Sequence, residues 1–298
     1  MDHLRPEARR IAEKPAIERL DCFATDRWIG YSRAQDALKR MDMLLATQPG
    51  RVRPQNMLVV GPSNNGKSTI AEKFQRQHPR RSSEERDRHI FPVLSVQMMP
   101  DVTAPRFYAQ LLDALGSPLG NIRKTERRNA LTLNLMRACG VRLLVIDELH
   151  NLLCGPSSRQ REILGLIRYL GNELRIPIVA LGTKDAWLAL RLDDQLENRF
   201  QPFLLSMWGD DAETGRLLAS FETVIPLRGR SGLGLPALRK VIVERSEGLI
   251  GEMHQLLSSA AAHALTEGRE RIEREDLLGC PFQAPSYRRQ MMERELRA

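Results

Sequence analysis

The sequence predicts an α/β fold, a parallel sheet flanked by helices, followed by a small all-helical C-terminal lid. Two patterns carry this expectation. Short apolar runs of strand type recur at "NMLVV" from Asn56, "HIFPVLSVQ" from His89, "VRLLVIDE" from Val141 and "IPIVALG" from Ile176, with a weaker one at "FETVIPL" from Phe221. Between them, apolar residues fall at helical spacing over Pro105–Leu115, Arg127–Cys139 and Arg159–Glu173. Strands alternating with helices need crossover connections, which set the strands parallel and put helices on both faces. Beyond Arg230 the helical period continues without a convincing strand.

The expected organisation is a polar helical lead-in over residues 1–25, an α/β domain over 26–229, a helical lid over 230–279 and a tail over 280–298. At 298 residues the chain has room for one large core and a smaller one. Hydrophobic residues make up 42% and charged residues 28%, an ordinary globular balance. No run approaches the roughly 20 apolar residues of a membrane-spanning helix, and the charged N-terminus lacks a secretory signal. Cys22, Cys139, Cys154 and Cys280 are scattered, without CxxC spacing, and are expected as reduced thiols. A cytoplasmic location with no membrane partner is therefore expected.

Charge is unevenly spread. Sixteen Lys/Arg face seven Asp/Glu between Arg51 and Arg142, while the rest of the chain balances almost to zero against a total of +8. A localised excess favours one electrostatic footprint over a generally basic surface.

The strongest motif is "GPSNNGKS", comprising Gly61, Pro62, Ser63, Asn64, Asn65, Gly66, Lys67 and Ser68, with Thr69 next. It fits G-x-x-x-x-G-K-[ST] and sits between an apolar strand and a helical run. Glycines let the backbone curl so that successive N–H groups converge on phosphates, and the following helix start adds positive potential. Lys67 is expected to reach the outer phosphates, and the Ser68 hydroxyl to ligate Mg²⁺. The second half is "LLVIDELH", where a four-residue apolar strand presents Asp147 and Glu148. Such a pair caps helices elsewhere. Its place about 80 residues after the phosphate loop points instead to Asp147 holding Mg²⁺ and Glu148 activating water. "IPIVALGT" ends in Thr183, a candidate γ-phosphate contact, and "LENRFQPF" carries Arg199, a candidate for completing a neighbouring subunit's site.

In this order the elements resemble the AAA+ superfamily. "GPSNNGKS" matches Walker A, "LLVIDE" Walker B, "ALGT" sensor 1 and "NRFQPF" the arginine-finger box. "WIGYSRAQDAL" is similar to the segment that packs on adenine, which assigns Ile29 and Tyr31 to the nucleotide. More narrowly, "RWIGY", "PQNMLVVGPSNNGKSTIAEKF", "LLVIDELHNLL", "IVALGTKDA" and "LENRFQPF" resemble the TniB family of transposition proteins, relatives of TnsC and IstB, over about Arg27 to Leu278. The resemblance implies an ATPase, with ATP and Mg²⁺ as cofactors, that oligomerises as a ring or filament on target DNA and recruits a transposase. It also implies a target-selection partner and non-sequence-specific contacts to double-stranded DNA through Arg106, Arg123 and Lys124. The sequence departs from many AAA+ lids at "EGLIGEMHQLL", where Gly251 stands in place of the sensor-2 arginine, which implies slow hydrolysis, a switch more than a motor. The rival expectations are a helicase loader or replication initiator, and a nucleotide-gated scaffold that does not bind DNA.

Overall fold

The computed structural model describes residues 1–23, 28–83, 88–117 and 125–297. The chain forms two compact units, one of residues 1–32, 64–66 and 206–298, the other of residues 33–63 and 67–205.

The α/β unit is built on five parallel strands, β1 (Asn56–Val60), β4 (Val93–Gln97), β5 (Leu143–Asp147), β6 (Ile178–Gly182) and β7 (Phe200–Leu204), in the order β4-β5-β6-β1-β7. The central strands are apolar throughout because they are covered on both faces. Leu58 and Val59 of β1, Leu143 to Ile146 of β5 and Val179 and Leu181 of β6 are all fully buried. Helix α3 (Ser32–Thr47) precedes β1, helices α4 (Lys67–Gln77), α5 (Ala104–Ala114), α6 (Thr125–Ala138) and α7 (Ser157–Leu174) supply the crossovers, and short α8 (Lys184–Leu190) and α9 (Asp194–Glu197) link β6 to β7. Each turns an apolar stripe inward, as with Phe107, Tyr108, Leu111 and Leu112 of α5.

The helical unit joins α1 (Pro6–Ala12) and α2 (Ala16–Phe23) to α10 (Ala212–Glu222), α11 (Pro236–Ser246), α12 (Ile250–Thr266), α13 (Arg274–Gly279) and α14 (Pro285–Glu295). Its axis is α12, whose Met253, Leu256, Leu257, Ala260, Ala261 and Ala264 are buried. The fully buried Arg19 of α2 forks onto Glu270 at 2.6 and 2.8 Å and also donates to the Pro226 carbonyl. That fork holds the Glu270 carboxyl below the usual carboxylate range.

Two expectations change. "FETVIPL" is not a strand: α10, capped by Asp211 on the Thr214 N–H, runs through Glu222 and buries Leu217, Leu218 and Phe221 on one helical face. "HIFPVLSVQ" splits at Pro92. His89 and Ile90 pair in a two-stranded hairpin formed by β2 (Arg81–Ser83) and β3 (Arg88–Ile90), and β4 begins at Val93. Pro92 has no N–H to give a ladder, and its carbonyl takes the N–H groups of Arg142 and Leu143.

Candidate nucleotide site

The carboxyl ends of β1, β6 and β5 lie side by side. Val60 is paired with Gly182, Ile146 with Ala180, and the Gly61 N–H donates to the Gly182 carbonyl at 3.1 Å. This edge is where open parallel sheets place ligands, and it gathers the loop from Gly61, the Asp147–Glu148 pair and Thr183.

Lys67 begins α4 and is buried, at 5% exposure. Its ammonium donates to the carbonyls of Gly61 (3.0 Å) and Pro62 (2.7 Å). Burial lowers its pKa, opposed by the nearby negative charges of Glu148 and Asp147. A buried cation whose ammonium donates to neutral carbonyls, with two carboxylates nearby, suits an incoming polyphosphate. Ser63, Asn64, Ser68 and Thr69 are exposed, so the Ser68 hydroxyl is open to a cation. Backbone φ is +59° at Asn64 and +80° at Gly66, the left-handed turns from which anion-cupping loops are made.

Asp147 and Glu148 are half-buried at the end of the Leu143–Ile146 run. The Asp147 Oδ1 accepts the Glu148 N–H at 2.8 Å, and Glu148 itself is left-handed at φ +53°. His150 Nε2 lies 3.1 Å from Glu148 Oε2. The donors suit Mg²⁺: two small oxygen ligands, Ser68 and Asp147, from a hydroxyl and a carboxylate. Thr183 is the N-cap of α8, its Oγ1 accepting the Asp185 N–H at 3.4 Å, which leaves the hydroxyl proton to donate.

In the helical unit, Ile29 and Tyr31 are buried at 6% and 9% exposure, and Tyr31 meets Trp208 edge to face at 5.2 Å. The loop tip is packed here too. Gly251 N–H donates to the Asn64 carbonyl at 3.0 Å, and Asn64 Nδ2 donates to Glu252 Oε1 at 3.0 Å. Arg288 of α14 donates to the same Glu252 oxygen at 2.7 Å. A Cβ on Gly251 would fall 1.8 Å from Asn64 Oδ1, so the position that resembles sensor 2 has no room for a side chain while Asn64 stays in place.

Arg199 stands elsewhere. It directly precedes β7, whose Phe200 pairs with Asn56 at the start of β1, and its carbonyl accepts the Asn56 N–H. Arg199 therefore lies at the amino end of the strands, and the phosphate loop at their carboxyl end. Five residues of strand separate the two ends, about 16 Å. The guanidinium donates to Asn172 Oδ1 at 2.6 Å. Its pKa is lowered by burial and by the positive charges of Arg53 and Arg168, against Asp193. Arg106 is exposed in the first turn of α5, and Arg128 of α6 reaches back to the Pro105 carbonyl. Arg123 and Lys124 lie outside the described residues. No motif in the sequence singles out His150 or Asn172. The signal for His150 is an imidazole two residues after a general-base candidate, and Asn172 emerges only from the packing of α7.

A P-loop lysine, a strand-end acidic pair and a strand-end threonine on a β4-β5-β6-β1-β7 sheet define an AAA+ P-loop ATPase. Solved structures share the fold. The ORC2 protein of Aeropyrum pernix (ADPNP-ADP complexes) matches with a TM-score of 0.61 at 15% identity, over 87% of this chain and 70% of that one. Cdc6p of Pyrobaculum aerophilum matches at 0.59 and 16%, over 86% and 69%. The A. pernix ORC1 protein in complex with DNA matches at 0.56 and 16%, over 91% and 69%. No curated protein matches in sequence. The family described as Bacterial TniB protein matches residues 19–210, and the chain belongs to the TniB family.

Proposed function

We propose that this TniB-family chain is an ATP-dependent regulator of DNA transposition, which assembles head to tail on target DNA, recruits a transposase and hydrolyses ATP at the seams between copies. The observation that carries the reading is the position of Arg199. At the amino end of β7 it is about 16 Å of strand from its own phosphate loop, beyond the reach of an arginine side chain. Its hydrogen bond to Asn172 Oδ1 uses one guanidinium nitrogen and leaves the other donors of the fork for another copy's γ-phosphate. A contact between opposite ends of the protomer is heterologous, and so it propagates into a ring or a filament.

Within one copy, Lys67 and the loop N–H groups hold the phosphates, Ser68 and Asp147 hold Mg²⁺, Glu148 orients the attacking water, and Thr183 donates to the γ-phosphate. Bound Mg²⁺ neutralises charge on the phosphate oxygens. The neighbour's Arg199 stabilises charge that develops during transfer. Ile29 and Tyr31 form the adenine side. For DNA, the exposed Arg106 and the basic stretch that includes Arg123 and Lys124 supply contacts to phosphate without base reading. The A. pernix ORC1 protein, similar in fold, was solved in complex with DNA, and the same class of partner suits this chain.

The test is sedimentation and negative-stain imaging of the full chain with a non-hydrolysable ATP analogue, Mg²⁺ and duplex DNA. Assemblies are expected only with all three. With ATP in place of the analogue, Arg199→Ala is expected to retain nucleotide binding and to lose hydrolysis by about 10³-fold. Mixing it with Glu148→Gln is expected to restore part of the rate, since one seam type then has both groups intact. A chain that stays monomeric, or an Arg199→Ala protein with full turnover, overturns the reading.

A further inference from the structure

We infer that His150 is a positioning residue for hydrolysis, fixing the Glu148 carboxylate from inside its own protomer and setting it against the end of the strand that leads into Thr183. The inference rests on the assignment of Glu148 as the group that orients water.

Glu148 ends β5 in a left-handed turn, closed by the Asn151 N–H on its carbonyl and by its own N–H on Asp147 Oδ1. The backbone there is fixed, but a glutamate has three side-chain torsions and a carboxylate that turns freely unless something holds it. The imidazole does. Nε2 lies 3.1 Å from Oε2, which leaves Oε1 to face a water.

The ring is itself constrained from the opposite side. A Cβ on Gly182 would meet Ala186 Cβ first, at 2.6 Å, and would fall 3.3 Å from His150 Nδ1 and 3.4 Å from the His150 backbone nitrogen, so the ring lies close against the end of β6. His150 Nδ1 is buried there without a hydrogen-bond partner. With Nδ1 unpartnered and Nε2 beside a carboxylate, the ring proton belongs on Nε2, the nitrogen in contact with Glu148. The ring therefore has one polar task, and that task is Glu148. Gly182 is followed directly by Thr183, so the water-orienting carboxylate and the γ-phosphate donor are set against the same side chain. Partners that orient a reacting group from behind change rate more than affinity.

The experiment compares His150→Ala, His150→Gln and Glu148→Gln in the full chain, assembled on duplex DNA, by single-turnover hydrolysis and by the affinity for a fluorescent ATP analogue. His150→Ala is expected to slow hydrolysis about tenfold with nucleotide affinity and assembly unchanged. His150→Gln, whose amide N–H falls near the position of Nε2, is expected to recover most of that rate. In a Glu148→Gln background the histidine substitution is expected to have no further effect. Should His150→Ala fail to fold, His150→Asn fills the ring's inner position with an amide too short to reach Oε2, and the same loss of rate is expected. A wild-type rate in His150→Ala or His150→Asn, with Glu148→Gln inactive, overturns the role of His150 alone. Equal losses of affinity and rate overturn it in favour of a purely structural part. Full activity in Glu148→Gln overturns the assignment of Glu148 beneath it.

Discussion

Gly251 gives a quantitative test of how the loop tip is held. Alanine there puts its Cβ 1.8 Å from Asn64 Oδ1 and 2.4 Å from Cγ, so the whole amide must leave. Leaving breaks the 3.0 Å bond from Asn64 Nδ2 to Glu252. A hydrogen bond to a charged acceptor is worth about 1.5–3 kcal/mol. Glu252 keeps Arg288 at 2.7 Å, so the loss sits at the low end, about 1.5 kcal/mol. Alanine recovers about 0.5 kcal/mol in a helix's first turn, less than the full interior difference from glycine. The net expectation for Gly251→Ala is about 1 kcal/mol of destabilisation, with weaker nucleotide binding because Asn64 belongs to the phosphate loop. The sign reverses when Asn64 is already removed. In an Asn64→Gly background, which keeps the left-handed φ, Gly251→Ala is expected to stabilise by about 0.5 kcal/mol. The cycle thus has a coupling of about 1.5 kcal/mol, read from apparent urea-unfolding midpoints of the four proteins. Additivity within about 0.5 kcal/mol refutes the packing argument. By the same geometry Gly251→Arg does not install a sensor-2 arginine but displaces Asn64.

Two further outcomes follow from the contacts. Arg19→Met leaves Glu270 without its fork and is expected to cost about 2 kcal/mol near neutral pH, below the value for a fully buried pair because the Glu270 side chain is 34% exposed. Because Arg19 depresses the folded-state pKa of Glu270, that stability is present above the ordinary carboxylate pKa and lost as pH falls through the depressed one. The gap in melting temperature between the two proteins is therefore expected to close on acidification, and a constant gap from pH 7 to pH 3 contradicts the assignment. Asn172→Ala frees the Arg199 guanidinium and is expected to slow hydrolysis several-fold in assembled protein without changing single-copy nucleotide affinity. An unchanged assembled rate shows that Asn172 does not aim the arginine.

The nucleotide site was the most legible part of the sequence because its chemistry fixes residue types over short contiguous stretches. Lys67, Ser68, Asp147 and Glu148 follow from loop and strand-end patterns, and the fold brings the ends of β1, β5 and β6 to one edge. The sheet was less legible. β7 is five residues with Pro202 at its centre and Gln201 beside it, so neither alternation nor an apolar run announces it. The run at Phe221–Leu227 looked like a strand because it is short and apolar, but Asp211 starts a helix ten residues earlier and burial on one helical face decides the matter. The location of Arg199 at the far end of the strands needed the β1–β7 register, which no local pattern contains. Gly251 showed the reverse. Sequence offered it as a missing arginine, and the contacts explain the glycine by the closeness of Asn64.

The sheet's outer border bears on how copies can meet. β7 lies at one margin with a residue at its middle, Pro202, that has no hydrogen to offer an added strand. A backbone zipper along that margin would hold copies together whatever the solution contained. A seam of side chains with Arg199 among them, as proposed, would come apart when its counter-ion is cleaved, and so would leave the lifetime of the assembly to chemistry.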